Sequence, residues 1–577
     1  MPNRALLNKT VFDNAKNLNH PRSKFKRPSS LATTFNAGDI IPIYVDEVLA
    51  GDSWKIDVDK FIRLSTPINP TMDDLYLETF WFFCPNRILW DHWEQFCGAS
   101  DKAWVDTTQY TVPTIELFNK GTSAVKRTSL ANYMLSNPNI VMSVNTGVEV
   151  NALPFRAYGL IYNYFFRDEN LEDVIPVYTG DSIVVSGNDD IFGHDYFFVN
   201  GSTHYFVDID NSCLKASAYH DYFTSALPQP QKGDDVLIPA GGWVSLQQQP
   251  GDFVLSGANV FPSFGNLTRG SNFTFSPLTN TSRAIYAQGI SASSTTVESY
   301  IQGVGGGQIS NILYDPAGTL GFDNLQITVN NLRLAIIAQQ WQELNGRSGS
   351  RYQEYLWAHF KTDAGDARLQ QPEYLGGSMT LLNMSQVTQT SETDATPLGT
   401  LAGNSVTYST KHEVFKSFVE HGIIMCLAVV RNKRTYSQGI DAMWFRETIF
   451  DYYDPLFANI GEQPIYNREI YVSGNQATDK AVFGYKEAWS EYKYKPDKVS
   501  GLFSPSVISN LASWNYSSNY VTTPVLSKEW LRQGVTEIDR TLQVTSANAP
   551  QFMAQFAFKT ETTRVMPRYN IPGLHRI

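Results

Sequence analysis

The chain has 577 residues, of which 18% are charged and 13% aromatic, and its net charge is −11. Such a length exceeds what one ordinary core needs, so it requires either several domains or one domain with large insertions. Low charge with abundant Tyr and Phe excludes a disordered chain, and the acidic balance taken alone argues against a nucleic-acid binder.

The charge is uneven. Residues 1–30 hold Arg4, Lys9, Lys16, Arg22, Lys24, Lys26 and Arg27 against Asp13 alone, which is seven minus one or +6, leaving −17 on the rest. Polar and aperiodic, with Pro21 and Pro28, residues 1–32 read as a basic N-terminal arm with little fixed secondary structure of its own. A strand is expected over Asp39 to Leu49, between Gly38 and Gly51, with Ile41, Ile43, Val45 and Leu49 on one face. Pro42 cannot donate to a ladder, so this strand lies at an edge or carries a bulge. A second strand, Leu75 to Cys84, is apolar on both faces and must be covered on both sides. Leu89, Trp90, Trp93, Phe96 and Cys97 then recur at helical spacing, with Gly98 placed as a C-terminal cap.

A helix is expected from about Pro154, with Phe155, Tyr158, Ile161, Tyr162 and Phe165 on one face, and short strands and turns over 171–212. From Phe253 to Tyr314 the only charged residues are Arg269, Arg283 and Glu298 in a text of Ser, Thr, Asn and Gly. A loop of this length in an ordered protein is functional or disordered. Helical periodicity returns after Asn330, with Leu334, Ile337, Ala338, Trp341 and Leu344 on one face and Gly346 near the end. Ile423 to Val430 is an unbroken apolar run suited to the middle of a sheet, and the end of the chain, ETTRVMPRYNIPGLHRI, is expected to run extended and irregular. Spaced strands, few long helices and large loops argue an all-β core.

No catalytic constellation emerges. His220 and Asp221 adjoin one another without a nucleophile, and such a pair is more often a structural hydrogen bond. His412 and His421 lack the spacing of a zinc helix, and the glycines at 303–307 lack the Lys-Ser/Thr and flanking elements of a phosphate loop. Cys84, Cys97, Cys213 and Cys426 form no CxxC pair and read as buried thiols of a reducing compartment. No metal site and no cofactor is expected. No apolar run approaches membrane-spanning length, and the N-terminus lacks an export signal. Two constellations suit single-stranded nucleic acid: the basic arm, and Tyr485, Lys486, Trp489, Tyr492, Lys493, Tyr494 and Lys495, where aromatics interleave with lysines. The arm is equally a solvated tail or a clasp on a neighbouring subunit. The Tyr/Lys stretch reads more readily as a half-buried strand or a subunit interface. Because a glycoside hydrolase needs only two carboxylates, a β-rich carbohydrate-binding protein or glycoside hydrolase is the alternative class.

The phrases TFNAGDIIPIYVDEVLAGD, TPINPTMDDLYLETFWFFCPNRILWDHWEQF and DYFTSALPQPQKG are long, ordered and idiosyncratic. They resemble the major capsid proteins of the microviruses, small icosahedral bacteriophages with single-stranded DNA, and within them the gokushovirus branch. The likeness runs from about residue 31 to the end and is weakest from Gly233 to Phe322. It implies an eight-stranded viral jelly roll with long insertions and a few helices over 33–577, and no enzyme activity. It further implies a T=1 icosahedral shell of copies of this chain around circular single-stranded DNA. Its other implied partners are a small basic DNA-binding virion protein, a pilot or minor virion protein and a host cell-surface receptor, without membrane insertion. The protein would be assembled in the bacterial host cytoplasm and reside in the virion. Residues 233–322 would form a surface insertion, a protrusion at the three-fold axes with Phe261, Phe264, Phe273, Phe275, Gly303 and Gly305 in it. Its role would be host attachment or mere shielding.

Overall fold

A computed structural model describes residues 21–98, 109–118, 130–136, 148–175, 177–181, 206–208, 213–234, 236, 286–288, 300–302, 329–348, 352–361, 370–391, 397–458 and 460–569. The chain separates into two compact units, Met1–Gly233 with Gln342–Ile577, and Asp234–Trp341.

The first unit is built on strands β1 (Arg22–Lys26), β2 (Ser29–Phe35), β3 (Ile41–Val48), β4 (Ser53–Leu64) and β5 (Leu75–Pro85). Small strands β6 (Thr114–Phe118), β7 (Val148–Asn151) and β8 (Phe206–Asp208) make a three-stranded sheet, while β9 (Tyr286–Gln288) pairs with β10 (Tyr300–Gln302) in the second unit. The main sheets are completed by β11 (Glu373–Leu381), β12 (Met384–Thr388), β13 (Leu401–Ser417), β14 (Gly422–Asn432) and, after the hairpin of β15 (Glu462–Tyr466) and β16 (Val482–Glu487), by β17 (Phe552–Val565).

One main sheet runs β1-β17-β4-β13-β12, with β2 also on β17; the other runs β11-β5-β14-β3. All their pairings are antiparallel. The chain changes sheet between β2 and β3, β3 and β4, β4 and β5, β11 and β12, β13 and β14, and β14 and β17. This repeated crossing is the jelly-roll manner of joining two sheets. The inner faces meet in one core, where Trp54, Ile56 and Phe558 of the first sheet face Trp81, Ile424 and Cys426 of the second. Tyr44 and Phe558 are 4.9 Å apart between ring centres, an inter-sheet aromatic contact.

Local sequence explains much of this. β14 is apolar almost throughout because it is central and covered on both faces. Both readings of Pro42 hold: β3 is an edge strand, and its register against β14 slips where Cys426 faces Tyr44 and Leu427 faces Pro42. In β4, Trp54, Ile56, Val58, Ile62 and Leu64 alternate inward, a strand for which the sequence reading made no allowance. Lys60 stands in the same inward row and interrupts the apolar period.

Three expectations are corrected. Residues 22–32 are not free of secondary structure, because β1 and β2 lie along β17 and satisfy their backbone groups on it. The stretch Glu561–Val565 is likewise strand rather than irregular. The helix expected over 89–97 is two single turns, α1 (Asn86–Leu89) and α2 (Trp93–Phe96), interrupted by Trp90 in extended conformation. Trp90 is fully buried and its indole N–H donates to Asp181 Oδ1 at 2.6 Å, which holds it out of a helix. The helix after residue 152 forms over Leu153–Ile161 and ends in a π turn, with Phe165 packed on Phe82 at 4.7 Å between ring centres while its other side meets solvent. A helix over Val329–Ser348 also forms, but Leu334, Ile337 and Trp341 on its expected apolar face are exposed.

Candidate functional site

The basic arm enters the structure at β1. Arg22 donates to the carbonyl of Gly51, Lys24 pairs with Glu561, Lys26 lies 3.8 Å from the same carboxylate, and Arg27 pairs with Asp46 at 2.7 Å. The Lys24 ammonium holds the Glu561 carboxyl below the usual range. Against these four cations the two carboxylates leave +2, and the side chains of Lys24 and Lys26 stay open to solvent. Arg4, Lys9 and Lys16 lie outside the described residues, as do Phe261, Phe264, Phe273, Phe275, Gly303 and Gly305.

The second constellation is divided by the fold. Tyr485 exchanges backbone hydrogen bonds with Leu227, both at 2.7 Å. Lys486 Nζ donates to Tyr222 O at 3.1 Å and Ser225 Oγ at 2.7 Å, and burial pulls its pKa down. Trp489 is buried in a left-handed backbone conformation, and its indole N–H donates to Phe457 O at 2.9 Å. These three hold loops together. Tyr492, Lys493 and Lys495 remain on the surface, with Lys493 3.1 Å from Glu487.

Two arginines that the sequence reading did not single out complete this region. Arg446 pairs with Glu491 at 3.0 Å and lies 4.4 Å from the ring centre of Tyr492. Arg468 stacks on Phe445 at 3.8 Å. Between them is a cleft of about 200 Å³ whose floor includes Tyr222 and Glu469. Burial pushes the Glu469 carboxyl up to about 7, although it accepts from Tyr466 N at 3.1 Å and Tyr222 Oη at 3.2 Å. The signal for this region was the aromatic density of residues 443–457, MWFRETIFDYYDPLF, which carries no periodicity.

Asp221 is structural, whereas His220 beside it is exposed. Asp221 accepts from Phe223 N at 2.9 Å, Thr224 N at 2.8 Å and Tyr436 Oη at 2.6 Å, closing a turn. Cys84, Cys213 and Cys426 are buried, whereas Cys97 is exposed because α2 is a surface turn. Among the described residues no helix is long and apolar enough to cross a membrane, and no three His, Cys, Asp or Glu side chains gather as for a metal.

Comparison with known proteins gives the family. A family model described as capsid protein (F protein) matches residues 14–574. The chain belongs to this phage capsid protein family. It is 35% identical over 611 residues to the capsid protein VP1 of Chlamydia phage 1, covering 96% of each chain. It is 36% identical over 577 residues to the capsid protein VP1 of Bdellovibrio phage phiMH2K, covering 98% of each. It is 37% identical over 571 residues to the capsid protein VP1 of Spiroplasma virus 4, covering 97% of this chain and 96% of that one. All three are gokushoviruses. The chain is therefore a major capsid protein, a structural component of the virion rather than an enzyme, and the carbohydrate-enzyme alternative is set aside.

Proposed function

We propose that copies of this chain, one per asymmetric unit, close into a T=1 icosahedral shell around circular single-stranded DNA. The observation that supports this reading is collinearity: each capsid relative is matched over 96% or more of its own length. The open two-sheet sandwich with long loops suits it, because loops between sheets supply lateral contacts. Expressed protein examined by negative-stain microscopy should give uniform small shells. Light scattering that finds only a well-behaved monomer under every capsid-forming condition would sink the proposal. The small basic DNA-binding protein, the minor virion protein and the host receptor are partners of the same reading.

The basic arm faces the genome in this proposal. Arg22, Lys24, Lys26 and Arg27 carry more positive charge than Glu561 and Asp46 neutralise, and Arg4, Lys9 and Lys16 precede them. Tyr492, Lys493 and Lys495 offer a second contact of stacking and charge, whereas Tyr485, Lys486 and Trp489 are engaged in packing. Replacing Arg22, Lys24, Lys26 and Arg27 by Gln should lower the DNA content of purified particles several-fold, with an effect that is largest at low salt and shrinks as salt rises. Particles with unchanged DNA would leave the arm only as a clasp along β17 or a neighbour.

In this reading residues 233–322 make a protrusion clustered around a three-fold axis, with Phe261, Phe264, Phe273 and Phe275 packed mainly between copies, Gly303 and Gly305 within it, and its tip contacting the host. Support comes from the compact unit Asp234–Trp341 into which the chain divides, and from a composition of hydroxyl and amide side chains that suits adaptable polar recognition. Deleting residues 257–307 should leave shells that form and hold DNA but adsorb poorly to cells. Failure to assemble would make the segment a trimer clamp, and normal adsorption would place the receptor contact elsewhere.

A further inference from the structure

Residues 440–458 form a lobe of single-turn 3₁₀ segments at Ala442–Phe445, Ile449–Asp451 and Pro455–Phe457. Its large apolar side chains point outward. Trp444 is 70% exposed, Ile449 73%, Phe450 69%, Leu456 89% and Met443 55%. Together they present on the order of 600 Å² of apolar surface. That approaches the ~800 Å² per partner of a standard interface and sits at or above the largest patch an ordinary monomer exposes.

The lobe is rigid. Asp451 Oδ2 accepts from Thr448 N at 2.7 Å, Thr448 Oγ1 at 2.9 Å and Glu447 N at 3.0 Å, and Asp454 Oδ1 accepts from Leu456 N at 2.8 Å. At its base Trp489 donates to Phe457 O at 2.9 Å, and Arg446 pairs with Glu491 at 3.0 Å while stacking on Tyr492 at 4.4 Å. The caps and pairs fix the backbone before any partner arrives, so little ordering entropy is lost on contact. They also engage Asp451, Asp454 and Arg446, so the outer face has no excess of cations to hold phosphate. Nucleic acid is thereby disfavoured as the occupant.

We propose that this lobe is an assembly contact, docked by its apolar face onto a second copy of the chain. The inference rests on the shell reading, and deepens it by naming the surface. The occupant follows from area and chemistry: an apolar, preorganised patch of nearly one interface half matches the apolar core of a permanent contact between subunits.

The test uses the full-length chain. The double variant Ile449→Asp/Leu456→Asp changes side chains that meet solvent in the free subunit, so its circular dichroism and thermal unfolding should equal those of wild type. Sedimentation velocity should show its shell yield reduced at least tenfold. Wild-type shell yield from the folded variant would overturn the proposal. Should the variant misfold, oxidative footprinting of the wild type decides: Met443 and Trp444 should label at least tenfold more slowly in shells than in dissociated subunits. Equal labelling overturns the proposal, as does protection in DNA-filled particles but not in empty shells, which would make DNA the occupant. If the wild type itself yields no shells, it is the shell reading that fails, and this inference falls with it.

Discussion

Replacing Lys60 by Met is expected to cost the unassembled subunit about 3–5 kcal/mol, read as a lowered denaturant midpoint. Lys60 Nζ lies 2.5 Å from Glu413 Oε1 between the two main sheets, with side-chain exposures of 1% and 0%. It also donates to Thr79 Oγ1 at 2.6 Å and to Ser378 Oγ. Trp81 Nε1–H donates to Glu413 Oε2 at 2.6 Å. Burial pulls the Lys60 ammonium down, and the Glu413 carboxylate opposes that pull. Methionine fills the same space but leaves the carboxylate buried without its cation, and an uncompensated buried charge is what makes breaking such a pair expensive. The double variant Lys60→Met/Glu413→Gln should recover at least half of the loss. A Gln carbonyl still accepts from Trp81, and its amide can donate toward Thr79 or Ser378. A double variant no better than Lys60→Met would show that volume, not charge, sets the cost.

The second large effect is on pH. Burial raises the Glu469 pKa from 4.5 to about 7. A carboxyl whose folded pKa is raised binds its proton more tightly in the folded state. Its contribution is fully present below about pH 4.5 and is lost as pH rises through about 7. The interval corresponds to roughly 3 kcal/mol. Glu469→Gln keeps a neutral carbonyl acceptor for Tyr466 N, and its amide N–H can donate to Tyr222 Oη in place of the bond accepted from it, so its stability should lack this decline. A wild-type subunit and a Gln variant with identical pH profiles between 4.5 and 8 would contradict the assignment. The effect is local: Glu469 floors the cleft beside the 440–458 lobe, with Arg468 and Glu491 near it. Unfolding should therefore begin in the loops around β15 and β16 as pH rises.

How far the sequence could be read depends on the range of the interaction. The strand at β5, the central β14 and the edge or bulge at Pro42 were legible because each follows from residues within a few positions: unbroken apolar runs, or a missing N–H. β4 carried its own legible alternation, Trp54, Ile56, Val58, Ile62 and Leu64, and only Lys60 in the inward row obscured it. Family membership was legible for a different reason. Phrases as long as TPINPTMDDLYLETFWFFCPNRILWDHWEQF do not recur by chance, and the family match over 14–574 agrees with them.

What only the tertiary structure decided is the choice of partners distant in sequence. Nothing local says that Arg22–Lys26 and Ser29–Phe35 should lie on Phe552–Val565, since a polar extended segment is equally at ease in water or on a sheet edge. Glu413 is aimed inward by a bulge, being the extra residue between the pairs His412–Asp57 and Val414–Ile56, so it and Val414 are both buried against the period of the strand. Its meeting with Lys60 exists only because β4 and β13 are neighbours facing β5 and β11. The aromatics of 485–495 were divided between packing and surface by contacts with residues 222–227 and 446–457, and no spacing within the stretch records those contacts. Composition and period determine which segments must be buried; the pairing of the sheets determines which charges are buried with them and which apolar residues are left outside to meet another copy.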